Sequence, residues 1–223
     1  MTESPLLTPV LFSVGPVPVT LPVVTTWGLM AFLVIGSALA TRRLALRPGA
    51  GQSLVELVVT TIEQQLDETM QTSSRPYLPL LGTLFLYLVV ANLSGIVPGM
   101  KAPTAALETA AALALITFLS VQVWGVLRRG PGGYLASFAK PTVLMLPLNL
   151  LAEVTRAFSL MVRLFGNVMS GEFVIAMILA LAGLFVPVPL MALEILLGLI
   201  QAYIFTILAA VFIGGAVGSI EKG

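Results

Sequence analysis

Long apolar runs alternate with short clusters of charge, proline or glycine along the chain. Leu21–Thr41 carries no charged residue. A helix of that length, at ~1.5 Å per residue, crosses the ~30 Å hydrocarbon core of a bilayer. The run predicts a first membrane span, with Arg42, Arg43 and Arg47 marking the interface beyond it. Residues 77–97 predict a second span, closed by a tight loop at Pro98, Gly99 and Pro103. Residues 104–127 predict a third, ended by Arg128 and Arg129, and residues 130–141 read as a Gly/Pro loop that closes at Lys140-Pro141. Residues 1–20, with Pro5, Pro9, Pro16 and Pro18, read as an irregular or extended lead-in.

Between the first two spans the pattern changes. Residues 52–70 set Glu56, Glu63, Gln64, Asp67 and Glu68 among Leu57, Val58, Ile62 and Leu66. That stretch is amphipathic and too polar to span, so it predicts a helix lying on the membrane surface. Ser53-Leu-Val-Glu56 has the capping-box spacing and predicts where that helix starts.

Residues 142–186 are nearly unbroken apolar sequence. As one straight helix, about 45 residues would measure ~67 Å, twice the membrane core. Two spans, or one long inclined helix, would accommodate them. No proline falls between Pro147 and Pro187, and only Gly166, Gly171 and Gly183 offer a bend, so one tilted helix is the better reading. Pro187-Val188-Pro189 then predicts a hairpin turn, and residues 190–217 the return helix. Its polar residues Glu194 and Gln201 are seven apart, on one face and ~10.5 Å apart along the axis. Gly198, Ala202, Ala209 and Ala210 permit close helix approach. The expected fold is a single all-α integral membrane domain of about five membrane helices, ending in a long tilted helical hairpin.

Composition agrees. The chain is 58% hydrophobic and 9% charged, with mean hydropathy +1.04, where soluble domains carry about 25% charged residues. A net charge of +1 gives no reason to expect a nucleic-acid partner. Without cysteine there are no disulfides or thiolate metal sites, and without histidine the commonest metal ligand and near-neutral proton relay is gone. No metal or cofactor is expected, and a proton path would have to use carboxylates, amides, hydroxyls and water. The first twenty residues lack Lys and Arg, so no ordinary cleavable signal peptide is expected. Basic residues cluster in the loops after spans one and three, whereas the loop between spans two and three has only Lys101. That bias places the N-terminus outside and Lys222 in the cytoplasm.

The charges inside apolar sequence carry the candidate chemistry. The guanidinium of Arg163 keeps its charge in lipid, and at the bilayer centre that costs at least ~2.5–3.5 kcal/mol. Ser159 and Asn167, four residues to either side, share its helical face, and Arg156 lies two turns back. Arg163 could pair with Glu153 or Glu172, or serve a partner outside the chain. Glu153 and Arg156, at i and i+3, suit an intrahelical ion pair. Asn92 suits an interhelical hydrogen bond, or a place in an ion path. Glu108 suits the positive end of a helix dipole, and equally the mouth of an aqueous path.

Ser159-Leu-x-x-Arg163-Leu-Phe-Gly-Asn167, followed by Gly171-Glu172, resembles the signature of subunit a of F-type ATP synthases. The resemblance extends to the Asn92-Leu-x-Gly-x-x-Pro-Gly stretch and to Gln201-Ala-Tyr-Ile-Phe in the last helix. It implies the static half of a rotary ion motor in a bacterial inner membrane. The implied partners are an oligomeric ring of small acidic membrane subunits, a peripheral-stalk membrane subunit, the lipid bilayer, and H+ or Na+. The implied chain has no catalytic site of its own. It passes ions through two aqueous half-channels separated by Arg163, with Asn167, Gln201, Glu172 and Glu194 serving them. The family often has one histidine and one carboxylate where this chain has Glu172 and Glu194. Counted from the expected turn, those two carboxylates should lie ~15 Å apart along the hairpin, as successive stations.

Two readings of other classes compete. A stand-alone channel or transporter accommodates the polar residues, but no internal repeat is evident. A structural scaffold accounts for the apolar bulk, but not for Arg163.

Overall fold

The computed structural model describes residues 10–14, 17–42, 49–95, 100–138, 142, 144–183 and 186–218. Among these residues six helices carry the architecture: α1 (Leu21–Thr41), α2 (Ala50–Met70), α3 (Leu78–Ser94), α4 (Leu107–Phe138), α5 (Met145–Ala182) and α6 (Val188–Val217). A 3-10 turn, Pro103–Ala105, precedes α4, and strands β1 (Val10–Val14) and β2 (Val17–Thr20) pair antiparallel ahead of α1. Among the described residues four helices are long and apolar enough to cross a membrane and α3 is a shorter apolar one, so the chain is an all-α membrane protein.

The bundle is built around α6. Gly198, Ala202, Ala209, Ala210 and Gly214 are buried along it, and these small side chains let neighbours approach closely. Toward its first half, Ala202 and Phe205 join Leu84, Leu88 and Ala91 of α3, Ala110 and Leu113 of α4, and Leu160 and Leu164 of α5. Toward its second half, Ala209, Ala210 and Ile213 pack with Leu66 and Met70 of α2, Tyr77, Leu81 and Val121. Tyr77 meets Trp124 edge to face at 4.9 Å. Across the end of α2, Arg75 Nε donates to Glu63 Oε1 at 2.9 Å.

Two helices stay largely uncovered. No residue of α1 is buried. On α5, Leu160, Leu164 and Val168 face the bundle, whereas Leu151, Val154, Phe158 and Val162 are exposed. Its 38 residues form one unbroken helix, ~57 Å long and nearly twice the hydrocarbon thickness.

Several boundaries differ from the sequence reading. The helix over 52–70 begins at Ala50 with Gly49 as its N-cap, so Ser53 lies inside it and does not cap. Gln52, not Ser53, engages Glu56: its Nε2 donates to Glu56 Oε1 at 2.7 Å. Residues 130–138 are not a loop; α4 resumes after a break at Gly130 (φ 74°, ψ 159°), a conformation glycine adopts freely. Pro131 then opens the new segment, where a missing N–H costs little. The extended part of the lead-in is a two-stranded ribbon, and Thr20 Oγ1 at its end donates to Glu108 Oε2 at 3.0 Å. The hairpin turn comes earlier than Pro187–Pro189: α5 stops at Ala182, Gly183 takes φ 80°, and Pro187 caps α6. Arg43, Arg47, Pro98, Gly99, Lys140, Pro141 and Lys222 lie outside the described residues.

Candidate functional site

The polar residues of α5 divide between two faces. Ser159 and Arg163 are exposed on its open side. Leu160 and Leu164, each one position on, are buried against α3, α4 and α6 and fix the rotation of the helix. The two carboxylates on α5 that could neutralise Arg163 are engaged elsewhere. Glu153 Oε1 accepts from Arg156 Nη1 at 3.0 Å, and Arg156 also lies over the ring of Phe212, 5.5 Å from its centroid. Glu172 Oε1 accepts from the backbone N–H of Ala102 at 3.1 Å. Among the described residues Arg163 makes no ion pair or hydrogen bond. The uncovered side of α5 thus presents a guanidinium with no counter-charge among the described residues.

One turn further along α5 a cavity of about 410 Å³ opens between α5, α6 and the end of α3. Asn92, Asn167, Glu172 and Glu194 all line it. Asn92 binds two elements at once: its Nδ2 donates to Gly198 O at 2.8 Å, and its Oδ1 accepts from Thr104 Oγ1 at 2.8 Å. Gly198 leaves room for it, since a Cβ there would stand 2.9 Å from Asn92 Cβ. Gln201 follows Gly198 by three residues on α6. It is buried, and its Nε2 has no acceptor among the described residues.

The structure therefore gathers Asn92, Asn167, Glu172 and Glu194 into one cavity. Arg163 stands one turn from it on the open face, and Gln201 one turn from it inside α6. Glu108 and Ser159 stand apart, the former tied to Thr20 and the latter exposed beside Arg156 and Arg163. The separation of the two glutamates differs from the value counted on sequence. Glu172 lies ten residues before the end of α5 and Glu194 six after the start of α6. Their depths differ by about 6 Å at 1.5 Å per residue. α5 ends at Ala182 and α6 begins at Val188, so fewer helical residues separate Glu172 from the end of its helix than the apolar run suggests. Lys101, Thr104 and Gly171 also belong to the site. Only Gly171 sat in a motif, and its neighbour across the hairpin could not be inferred without the turn.

These features define a polytopic helical membrane protein that gathers half-buried carboxylates around a cavity and leaves a cation on an uncovered helix. A family model described as ATP synthase A chain matches residues 23–214. The chain is 61% identical over 223 residues to ATP synthase subunit a 2 of Bradyrhizobium sp., covering 100% of both chains. It is 46% identical to ATP synthase subunit a of Albidiferax ferrireducens, over 87% of this chain and 85% of that one. It is 47% identical to ATP synthase subunit a 2 of Picosynechococcus sp., over 89% and 86%. The chain belongs to the ATP synthase A chain family, the ion-translocating stator subunits of F-type ATP synthases. Its place is in the membrane, beside the ring of small subunits and the other membrane subunits of that complex.

Proposed function

We propose that Arg163 divides two aqueous half-channels and that the cavity at Glu172 and Glu194 belongs to the outer one. The observation that carries this reading is the exposed guanidinium of Arg163 on the uncovered side of α5, which makes no ion pair or hydrogen bond among the described residues. A ring carboxylate facing lipid is stable only when loaded with its ion. On meeting Arg163 it gives that ion up, because the guanidinium compensates its charge. Arg163 cannot pass a proton on, so ions cannot leak from one half-channel to the other and bypass rotation. Each charge that crosses contributes ~2.3 kcal/mol per 100 mV of membrane potential.

In this reading H+ enters from outside through the cavity. Glu194 and Glu172 relay it, Asn92 shapes the wall, and Asn167 and Gln201 orient Arg163 or ordered water between cavity and ring. The uncovered face of α5 receives the ring, and α5 runs inclined along it. The N-terminus lies outside and the C-terminus in the cytoplasm of a bacterial inner membrane, with the peripheral-stalk subunit elsewhere on the bundle. A second reading, with Na+ as the coupling ion, is favoured by the cavity's own oxygen atoms: two carboxylates and the Asn92 and Asn167 amides surround one space, and oxygen is the ligand hard cations take.

The test is Arg163→Ala in the assembled complex. Coupled ion transport and ATP synthesis should be lost while the ring still co-purifies. A fully coupled Arg163→Ala complex would falsify the rotor–stator reading. Dependence of the parent rate on Na+ at fixed pH separates the two ions.

A further inference from the structure

Residues 100–106 form a strap that leads from the cavity wall into α4, and the proposed ion relay gives them no part. Met100, Lys101 and Ala102 line the cavity beside Glu172. The buried Ala102 points its backbone N–H at Glu172 Oε1, 3.1 Å away. The strap is pinned from behind. Thr104 is fully buried and donates to Asn92 Oδ1, and Asn92 is itself tied to Gly198 O. Lys101 is exposed, is the single basic residue between Arg75 and Arg128, and lines the same cavity as Glu172. The second carboxylate that lines the cavity is Glu194, from α6. The first-turn carboxylate of α4, Glu108, is held by Thr20.

An ion station must release what it binds. Two neighbouring carboxylates tend to hold one cation between them. An amide N–H and an ammonium both favour the bare carboxylate over its loaded form, and so oppose that tendency.

We propose that Lys101 and the backbone N–H of Ala102 set the affinity of the outer ion station, loosening the grip of Glu172 so that the cation is passed on, with Thr104 and Asn92 as the residues that position the N–H. The proposal deepens the reading of Glu172 as part of the ion path and rests on it.

The test uses the whole ATP synthase in proteoliposomes, with potential-driven ion uptake measured against the outside concentration of H+ and, separately, of Na+. Lys101→Gln should lower the half-saturating concentration by roughly 2- to 5-fold, together with the maximal rate. Parent and variant should converge at high salt, because an exposed charge is screened. Lys101→Arg should restore the parent half-saturation. Ala102→Pro removes the N–H itself, and the φ of −60° at Ala102 already suits proline. It should lower half-saturation by about tenfold. A merely structural lesion would reduce the maximal rate and leave half-saturation in place. The proposal is overturned if Lys101→Gln and Ala102→Pro keep the parent half-saturation while Glu172→Gln blocks transport. If Glu172→Gln transports at the parent rate, the ion-path reading falls, and the proposal with it.

Discussion

The carboxylate of Glu194 lies against the backbone of Gly171, the residue before Glu172. A Cβ built on Gly171 would stand 2.6 Å from Glu194 Oε1 and 3.0 Å from its Cδ. Glycine at this position is what lets a side chain of α6 reach α5 at the depth of the second glutamate. Gly171→Ala should push the Glu194 carboxylate aside, separate the two stations, and slow ion uptake by about tenfold, as a loss of ~1.4 kcal/mol would. Gly36→Ala on α1, where nothing lies within 4 Å, is the control and should transport like the parent. Equal rates for the two variants would mean that the contact has no part in transport.

Arg163→Lys should fail almost as completely as Arg163→Ala. Lysine keeps a positive charge in water, but it sheds its proton more readily when buried and lacks the planar fork that meets a carboxylate on two points. The residue that separates two half-channels must never carry a proton across. ATP-driven ion pumping by vesicles bearing the Lys variant, compared with passive leak through the same vesicles, is the measurement. Pumping above half the parent rate, without leak, would show that charge alone suffices there.

Much of this architecture was legible in the residues. The apolar runs located α1, α3, α4, α5 and α6, because helices that meet lipid must satisfy their backbone internally and be apolar over their span. Arg163 declared itself by its cost. What could not be read was tertiary. The capping-box spacing at Ser53 was overridden by a helix that starts at Ala50. Gly130 and Pro131 signalled a break, and the chain does break there, but helix resumes on the far side because neither residue opposes it. The positions of Lys101, Thr104 and Gly171 in the site follow from which helix ends meet across the bundle. No spacing along one segment contains that information.

Thr104, Asn92 and Gly198 should behave as one unit. Thr104→Val and Asn92→Ala each break the same hydrogen bond, and in membrane proteins such bonds average ~0.6 kcal/mol. Asn92→Ala also releases the carbonyl of Gly198 and should destabilise the complex more, by roughly 1 kcal/mol in all. The double variant should cost no more than Asn92→Ala alone, since both changes remove one shared interaction. Thermal unfolding of the purified complex in detergent, read for the two single variants and the double, completes the cycle. Additive losses would mean that the hydroxyl and the amide act independently.

The last prediction concerns the two glutamates themselves. Glu172 and Glu194 line one cavity, their depths differ by about four residues of helix rise, and the Glu194 carboxylate lies against Gly171, the residue before Glu172. A cation arriving from the mouth meets both, and two like charges this close do not titrate or load independently. Single replacements should therefore differ from those of two remote stations in series. Glu172→Gln removes the carboxylate that Ala102 and Lys101 address, and should nearly abolish uptake. Glu194→Gln removes the one that rests on Gly171, and should slow uptake while loosening the apparent affinity of what remains. The double Gln variant should be no slower than Glu172→Gln, because the path is already interrupted. Glu194→His should recover part of the rate if H+ is the coupling ion, since imidazole exchanges protons near neutral pH. It should recover none if Na+ is, since the site then loses an oxygen ligand that a hard cation prefers. Uptake by vesicles carrying each variant, measured with and without Na+ at fixed pH, gives every one of these outcomes. If both single Gln variants transport at the parent rate, the glutamates only fill space between α5 and α6, and the outer path must run elsewhere, past Asn92 and Glu108.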